Sequence, residues 1–306
     1  MTEIRGKKFL VTGGAGFVGS HTVDSLIERG AKVSIIDNLS TGSKENINPK
    51  AKFYNLNINS PKIAHIFKKE KPDYIYHFAF EVRVPKTIKN PELIMDSIEG
   101  SLSILTNAVH YKIKKIIFAS TAFIYGNPKK LPAKESDIPN FISPYACAKY
   151  SVENFLEYFY NLYKTPYVIL RYATIYGPRQ YLGAIPDYIR KLAAGSQADM
   201  WGDGNKTRDY VFIEDVVRAN MAALSLSNSY TDPVFNIGTG TETTLNSVYQ
   251  KIAEFLQKQA KPVYHPERAG ELNRYYLDPE KARRVLGWKA DTKLDEGLAK
   301  TIKALS

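Results

Sequence analysis

Short apolar runs alternate with longer stretches of helical spacing along the first half of the chain. The runs are bounded by turn residues and predict buried strands at Phe9 to Val11, Lys32 to Ile36, Lys52 to Leu56, Tyr74 to Phe78, Lys115 to Ala119 and Tyr167 to Tyr172. Helical spacing predicts helices at Pro61 to Lys69, Met95 to Val109 and Tyr145 to Tyr163. This order predicts an α/β fold with a doubly wound parallel sheet, right-handed crossovers and helices on both faces.

A glycine-rich segment, TGGAGFVG at Thr12 to Gly19, connects the first strand to the next helix. Gly13, Gly16 and Gly19 allow a tight turn, a close approach of the backbone to a diphosphate, and close helix–strand packing. The helix that follows offers free N–H groups and a positive dipole end at its start. Asp37 ends the second strand, where a carboxylate accepts hydrogen bonds from an adenosine ribose and repels a 2′-phosphate. The pattern predicts a Rossmann-like site for NAD rather than NADP.

The second half of the chain is less regular. From Gly177 onward, GPRQ, GDG and DP turns replace the repeating strand–helix order. We expect residues 1–172 to form the NAD-binding Rossmann domain and residues 173–306 to form a smaller C-terminal substrate-binding lobe. Segments of about 211–240 are expected to return to the main sheet.

The composition is that of a soluble globular protein, with 44% apolar and 24% charged residues among 306. No apolar stretch approaches the roughly 20 residues of a membrane span, and the first residues, MTEIRGKK, lack the apolar segment of a signal peptide. The single cysteine, Cys147, excludes an internal disulfide and favours a reducing, cytoplasmic location. The net charge of +11 comes from lysines scattered among acidic residues, which favours an anion-attracting surface over a nucleic-acid interface. We expect no membrane or nucleic-acid partner and assign no metal site.

Catalytic candidates lie at and after the fifth strand. Tyr145 and Lys149 are four residues apart on one predicted helix, so their side chains share a face. Thr121 follows the strand KKIIFAS, at the edge where open α/β sheets bind ligands. A tyrosine with its usual pKa of about 10 is a poor base, but a lysine ammonium and a positive nicotinamide ring both favour the phenolate. Lowering that pKa by about 3 units requires about 4 kcal/mol. Thr121 would hydrogen-bond the substrate hydroxyl and relay the proton.

Longer motifs run nearly from end to end. They are VTGGAGFVGSH (Val11 to His21), DNLSTG (Asp37 to Gly42), HFA (His77 to Ala79), STAFIYG (Ser120 to Gly126), YACAK (Tyr145 to Lys149), LRYATIYGPRQ (Leu170 to Gln180), GDGNKTRDYVFIEDV (Gly202 to Val216), NIGTG (Asn236 to Gly240), RAGEL (Arg268 to Leu272) and LGW (Leu286 to Trp288). In this order they resemble the extended short-chain dehydrogenase/reductase family, and within it the UDP-glucose (UDP-galactose) 4-epimerase group.

The resemblance implies a mechanism for a UDP-sugar substrate. Tyr145 would remove the proton from the sugar 4-hydroxyl while hydride passes from C4 to NAD. The 4-keto sugar would turn over in the pocket and receive the hydride on its other face. Arg208 and Arg268 match diphosphate-binding arginines, a role suited to forked and permanently charged groups. Met200 and Trp201 match a segment beside the uracil and ribose.

The same resemblance implies a set of cofactor contacts. Phe17 and Val18 match backbone contacts to the diphosphate, and Asn57 and Ile58 flank the adenine. Asn57 stands where the family usually has Asp, but its carbonyl oxygen still accepts a hydrogen bond. The remaining positions are Asp37, Asn38, Ser40, Thr41 and Gly42 at the adenosine ribose, and Phe78, Ala79, Phe80, Tyr145, Lys149 and Ala173 on the nicotinamide side.

Several positions depart from the family pattern. Phe80 and Glu81 stand where small or amide residues are expected, in a loop at 80–85 that reads as shortened. Ser97 replaces an Asn that usually orders that loop, Thr174 an Asn that contacts the substrate diphosphate, and Glu271 an Asp that binds the uridine ribose. Tyr275 matches a site that limits the pocket near the sugar C2 substituent, and its bulk favours a plain hydroxyl over an N-acetyl group.

Other activities stay open. Nucleotide-sugar 4,6-dehydratases and decarboxylases of this fold carry acidic residues directly after the catalytic Thr or Ser, whereas Ala122 and Phe123 stand there in this chain. A regulator that binds NAD or a nucleotide sugar without catalysis is supported by the loop at 80–85 and opposed by the intact Thr121, Tyr145 and Lys149.

The resemblance also implies a homodimer. The helices at Met95 to Val109 and Tyr145 to Tyr163 match those that pair across the family's two-fold axis. The second of them carries more apolar surface than one sheet face covers, so we expect a four-helix bundle between two copies.

Overall fold

A computed structural model describes residues 4–259, 261–268 and 270–306. At its centre is a seven-stranded sheet in the order β11-β6-β5-β4-β1-β2-β3, with every neighbouring pair parallel. The strands of this sheet are β1 Lys8–Thr12, β2 Lys32–Asp37, β3 Lys52–Asn55, β4 Tyr74–His77, β5 Lys115–Thr121, β6 Tyr167–Tyr172 and β11 Val234–Ile237. The predicted fold class is confirmed.

Helices cover both faces of the sheet. Their bounds are α1 Phe17–Glu28, α2 Ile63–Glu70, α3 Val84–Lys89, α4 Met95–His110, α5 Pro144–Tyr163, α6 Ala184–Ala193, α7 Ile213–Leu224, α8 Leu245–Phe255 and α9 Leu294–Leu305. Short 3₁₀ turns lie at Lys44–Asn46, Pro91–Ile94 and Ala122–Tyr125, and a π turn at Ala282–Leu286. Within the described ranges, no helix is both long and apolar enough to cross a membrane.

Alternation along the strands explains the two-layer core. In β1, Phe9 and Val11 pack in the cluster that includes α1 and α7. Leu10 packs in the other cluster, with α2, α4 and α5. Successive side chains of a strand point to opposite faces, so a sheet covered on both faces needs apolar residues at every position. This is why the predicted strands read as continuous apolar runs.

The second half of the chain forms small sheets and returns once to the main one. β7 Thr174–Tyr176 pairs with β10 Tyr210–Phe212, β9 Thr207–Arg208 with β12 Thr243–Thr244, and β8 Asp199–Trp201 with β13 Val263–His265. β11 lies beside β6 at the edge of the main sheet. A division into domains at residue 172 stays a prediction.

Parallel strands bring their carboxyl ends to one edge of the sheet. The residues at that edge are Thr12, Asp37, Asn55, His77, Thr121, Tyr172 and Ile237. The loop after His77 leads into the short helix α3 and the turn at Pro91–Ile94.

Candidate active site

The glycine-rich turn after β1 is too closely packed for side chains. Gly13 has a φ of +71°, and a Cβ atom there would lie 2.7 Å from the backbone nitrogen of Ala79. A Cβ atom at Gly19 would lie 2.1 Å from the carbonyl oxygen of Gly13. Such distances are far inside van der Waals contact, so helix α1 approaches the turn only because both residues are glycine.

The start of α1 fits a diphosphate. Gly16 is the N-cap of α1, with no side-chain cap hydrogen bond and no acidic residue in the first turn. The backbone N–H groups at Phe17 and Val18 belong to the first turn, where intrahelical acceptors are lacking. A helix N-terminus of this kind attracts phosphate through its N–H groups and dipole.

Asp37 and the loop after it lie beside this turn. The buried Asp37 carboxylate accepts hydrogen bonds from the backbone nitrogens of Ala15 (3.0 Å) and Leu39 (2.8 Å). Each oxygen keeps a further lone pair, so the group can also accept from a ribose. A Cβ atom at Gly42 would lie 2.9 Å from the Ala15 carbonyl oxygen, which packs the loop that holds Asn38, Ser40 and Thr41 against the turn. The Asn38 side chain fixes the loop by accepting from the Ser40 nitrogen (3.0 Å).

The positions proposed to flank an adenine differ in exposure. Asn57 is partly accessible, and its side-chain oxygen lies 3.4 Å from the Asn59 nitrogen. Ile58 is buried against Gly100 of α4, where a Cβ atom would meet it at 2.3 Å. The Ile58 side chain thus belongs to the core, and its backbone remains the part available to a ligand.

Buried polar side chains form a hydrogen-bonded series beneath Ala79, one of the positions proposed for the nicotinamide side. His77 bonds Thr12 (2.6 Å) and Ser101 (2.9 Å), and the Thr12 hydroxyl accepts from the Ala79 nitrogen (3.3 Å). Burial lowers the pKa of His77 to about 3, so the ring is neutral. The Ser97 hydroxyl accepts from the Glu81 nitrogen (2.9 Å) and so helps to order the loop. The family resemblance implied this role for an Asn at the same position.

Phe78 and Ala173 complete this side. Phe78 stacks on Tyr76 with ring centroids 5.8 Å apart. Ala173 follows β6, and its nitrogen donates to the carbonyl of Ile237 (2.9 Å). Both residues lie at the carboxyl edge of the sheet, on either side of the end of β5.

Thr121, Tyr145 and Lys149 meet at the carboxyl end of β5. Thr121 is the last residue of that strand; its hydroxyl accepts from the Phe123 nitrogen (3.2 Å) and also lies within reach of the Tyr145 phenol. Ser143 caps α5 by accepting from the Ala146 nitrogen (3.3 Å), which fixes the first turn that carries Tyr145. Lys149 lies one turn further along α5 and donates to the carbonyl of Ala119 (2.6 Å).

Burial sets the direction of the pKa shifts of Tyr145 and Lys149. Burial raises the pKa of Tyr145 to about 12, although its hydrogen bond with Thr121 acts in the opposite direction. Burial also lowers the pKa of Lys149 to about 7, opposed by the nearby Glu153 carboxylate. The sequence shows the lysine charge but not the desolvation of the two groups, which depends on packing. Among the protein's own groups burial dominates, so the phenolate depends on a further cation.

Aromatic rings surround Tyr145 and Lys149. The Lys149 ammonium lies 4.0 Å from the ring centre of Phe80 and 4.8 Å from that of Phe118. Phe80 and Phe123 both meet Tyr145 edge-on, at 6.1 and 6.3 Å between ring centroids. Phe80 therefore contributes an aromatic face to a buried cation, a role that its position in the sequence did not suggest.

Two residues of the predicted substrate site, Thr174 and Arg208, lie around Tyr275. Its ring is buried, 6.2 Å from Phe123 and 5.7 Å from the guanidinium carbon of Arg208. Its hydroxyl lies 2.5 Å from that of Thr174. Burial raises the pKa of Tyr275 to about 12, so the phenol is neutral.

A second cluster holds the other substrate candidates. The Trp201 indole stacks on His265 (4.7 Å between centroids), and the Arg268 guanidinium lies 3.5 Å from the ring centre of Trp201. His265 is held by Asp199 (2.7 Å). Met200 is buried against Tyr188, so only its backbone could contact a base. Glu271 pairs with the buried Lys206 (3.1 Å).

Two of the buried carboxylates that the sequence did not predict lie beside site residues. Asp209 accepts from the Thr239 hydroxyl (2.6 Å) and from the nitrogens of Thr239, Gly240 and Leu277, which joins three segments behind Arg208. Glu153 lies four residues after Lys149 on α5 and pairs with the buried Arg171 (2.6 Å). Its helical spacing from Lys149 could have indicated it, whereas the partners of Asp209 are distant in sequence. Across the described residues, no group of three or more His, Cys, Asp or Glu could hold a metal ion.

Comparison with known proteins agrees with this geometry. The NAD dependent epimerase/dehydratase family matches residues 9–238. The chain belongs to this family.

Its relatives match nearly the whole length of the chain. It is 34% identical to a UDP-glucose 4-epimerase of Mycolicibacterium smegmatis, over 96% of this chain and 97% of that protein. Its fold is similar to UDP-glucose 4-epimerase from Thermotoga maritima solved with UDP-glucose, with a TM-score of 0.94, 41% identity and coverage of 97% and 98%. It is also similar to a UDP-N-acetylglucosamine 4-epimerase from Methanobrevibacter ruminantium M1, with a TM-score of 0.91, 32% identity and 98% coverage of both chains.

Proposed function

We propose that this protein is an isomerase that inverts C4 of a UDP-hexose, with UDP-glucose and UDP-galactose as its substrate pair. The observation that carries the proposal is the contact between Thr121 and Tyr145, one helical turn from Lys149 and at the same edge of the sheet as the glycine-rich turn. A base, a proton relay and a cation thus face one edge of the sheet. Bound NAD supplies a reversible hydride acceptor and the positive ring that the phenol requires.

Each group has a defined task. Tyr145 accepts the proton of the sugar 4-hydroxyl, and Thr121, bonded to it, holds that hydroxyl in line. Lys149 stabilises the phenolate from a site fixed by the Ala119 carbonyl. Gly13, Gly16 and Gly19 admit the cofactor diphosphate, and Asp37 selects an unphosphorylated ribose.

Substrate binding is assigned to the two outer clusters. We assign the sugar diphosphate to Arg208 and Arg268, and the uracil and ribose to Trp201, Glu271 and the backbone at Met200. Trp201 offers an aromatic surface, and the arginines offer forked donors to phosphate. The hexose then lies between these clusters and Tyr145.

The residues after Thr121 argue against dehydratase or decarboxylase activity. Ala122 is buried, and Phe123 places its ring against both Tyr145 and Tyr275. An elimination step needs an acid or base near the sugar C5–C6 region, and this wall is aromatic. A regulator without catalysis would not need the buried lysine beside the phenol.

Product analysis tests the proposal. Purified protein with NAD is incubated with UDP-glucose, UDP-galactose, their N-acetylamino forms and UDP-glucuronate, and the products are separated. We expect interconversion of the first pair, and a loss of about 10²- to 10⁴-fold in kcat for Tyr145→Phe, the range for removal of a general acid–base. An unchanged rate in that variant would refute the assignment. A transient NADH absorbance band on adding UDP-sugar separates redox chemistry from simple binding.

We further propose a homodimer through α4 and α5. Exposed apolar side chains on these helices include Met95 (59%), Tyr158 (52%), Leu162 (56%) and Tyr163 (49%). Burying such a surface in a second copy is favourable by roughly 25 cal/mol per Å². A solution mass equal to one chain at all concentrations would refute the dimer. A cytoplasmic location stays a prediction.

A further inference from the structure

The Thr174 hydroxyl is held in one place by the strand that carries it. Thr174 opens β7 and pairs in register with Tyr210 of β10, and its nitrogen donates to the Asp209 carbonyl (2.8 Å). As a β-branched residue in a strand, it has restricted χ1 rotamers. Its Oγ1 atom lies 2.5 Å from the Oη atom of Tyr275. The backbone therefore fixes the position of the hydroxyl that Tyr275 meets.

Tyr275 depends on this contact. The ring is 2% exposed, with Phe123 against it edge-on and Arg208 near its ring centre. In the part of the chain that the structure describes, the hydrogen bond of the Tyr275 hydroxyl is made to Thr174. A buried hydroxyl without a partner is costly, so the ring has one satisfied orientation while Thr174 is present.

We propose that Thr174 is a positioning residue for specificity: its hydroxyl fixes the Tyr275 ring and so keeps the sugar pocket too small for a 2-acetamido group. This rests on the proposed function, and it gives Thr174 a task other than the diphosphate contact that the family resemblance implied. The pocket size is then set by a pair of hydroxyls rather than by the bulk of Tyr275 alone.

The consequence of losing the hydroxyl follows from sterics. Thr174→Val keeps the shape of the side chain but removes the partner of the Tyr275 phenol. The ring then gains from moving toward solvent or another acceptor, which opens space beside the sugar C2 position. Thr174→Ser is the matched control, because it keeps a hydroxyl on the same strand while removing the methyl group.

The test measures discrimination by binding and by turnover. Dissociation constants and kcat/KM are measured for UDP-glucose and UDP-N-acetylglucosamine with wild type, Thr174→Val, Thr174→Ser, Tyr275→Phe and Thr174→Val/Tyr275→Phe. We expect Thr174→Val to reduce the preference for the plain sugar about fivefold to tenfold, the worth of one hydrogen bond of about 1 to 1.4 kcal/mol. Thr174→Ser should keep the wild-type preference within about threefold. In the Tyr275→Phe background the valine substitution should change the preference no further, because the bond is already gone.

The outcomes separate two failures. An unchanged preference in Thr174→Val, or an equal loss in Thr174→Ser, overturns the inference, as does a further shift in the Tyr275→Phe background. Should the binding preference shift as expected while no UDP-hexose is turned over, Thr174 retains its role and the proposed epimerisation fails. Thermal unfolding of each variant, compared with wild type, verifies that the preference is measured on folded protein.

Discussion

Two buried lysines lie at opposite ends of strand β5, and each has a lowered pKa and a backbone carbonyl partner. Lys115 opens the strand at 4% exposure, and Lys149 of α5 lies beside its end at 2%. Both ammonium groups donate to backbone carbonyls: Lys115 to Leu224 (3.0 Å) and Leu226, and Lys149 to Ala119 (2.6 Å). Burial lowers the pKa of Lys115 to about 8 and that of Lys149 to about 7. By burial and pKa alone the two sites are alike.

Their neighbours differ. Lys115 donates to the carbonyl of Leu224, the last residue of α7, and to that of Leu226 just after the helix. Because the helix dipole is negative at this end, Lys115 acts as a C-terminal cap. Lys149 lies between the rings of Phe80 and Phe118, one turn from a tyrosine bonded to Thr121. A shifted lysine thus indicates a catalytic site only where a second titratable group lies within its reach.

The largest expected effect comes from removing the Lys149 charge. Lys149→Met should lower kcat at least about 100-fold, because the phenolate of Tyr145 loses a cation in a desolvated site. The free energy of unfolding should change by less than about 1 kcal/mol, since a buried charge is lost together with one carbonyl partner. Steady-state kinetics and denaturant unfolding measure the two quantities. A fall in stability with kcat unchanged would make Lys149 a structural residue like Lys115.

The same substitution at the other end should act on stability. Lys115→Met removes the ammonium that donates to two carbonyls near the end of α7, and we expect the free energy of unfolding to fall by about 1–2 kcal/mol. The specific activity of the folded fraction should stay within about twofold of wild type. Lys114→Met is the control, because Lys114 is 53% exposed and its ion pair with Asp73 (2.7 Å) contributes at most about 1 kcal/mol. Equal losses in both variants would remove the capping role.

Both lysines should make stability depend on pH. Each has a folded pKa below its unfolded value of about 10.4, so the folded state binds fewer protons from about pH 7 upward. The free energy of unfolding should therefore rise between pH 7 and about pH 10, by at most about 1.4 kcal/mol per pH unit for each lysine. Above that range the buried tyrosines oppose the rise, because the pKa of Tyr145 is raised to about 12 and its unfolded form ionises first. Denaturant unfolding at pH 7, 8 and 9 should give a steeper rise in wild type than in either methionine variant.

The sequence predicted the elements whose evidence is local. The strand ends, the glycine-rich turn and the spacing of Tyr145 and Lys149 depend on residues close together in the chain. It could not predict that Thr174 bonds Tyr275 or that His265 stacks on Trp201, because such pairs meet only through β7, β8 and the loops around them. The raised pKa of Tyr145 in the protein alone could not be predicted for a similar reason: charges are visible in a sequence, but desolvation depends on packing.

The smallest expected effect isolates the aromatic faces that distinguish Lys149 from Lys115. Phe80→Leu keeps an apolar side chain but removes the ring that lies 4.0 Å from the Lys149 ammonium. Cation–π contacts contribute about 0.5–2 kcal/mol, so the charged lysine should be less stable and kcat should fall about twofold to thirtyfold. Phe80→Tyr keeps the ring and should retain most of the activity, as steady-state kinetics at pH 7 would measure. If the leucine and tyrosine variants are equally active, the ring contributes nothing to the charge of Lys149, and the proximity of Tyr145 alone separates the two lysines.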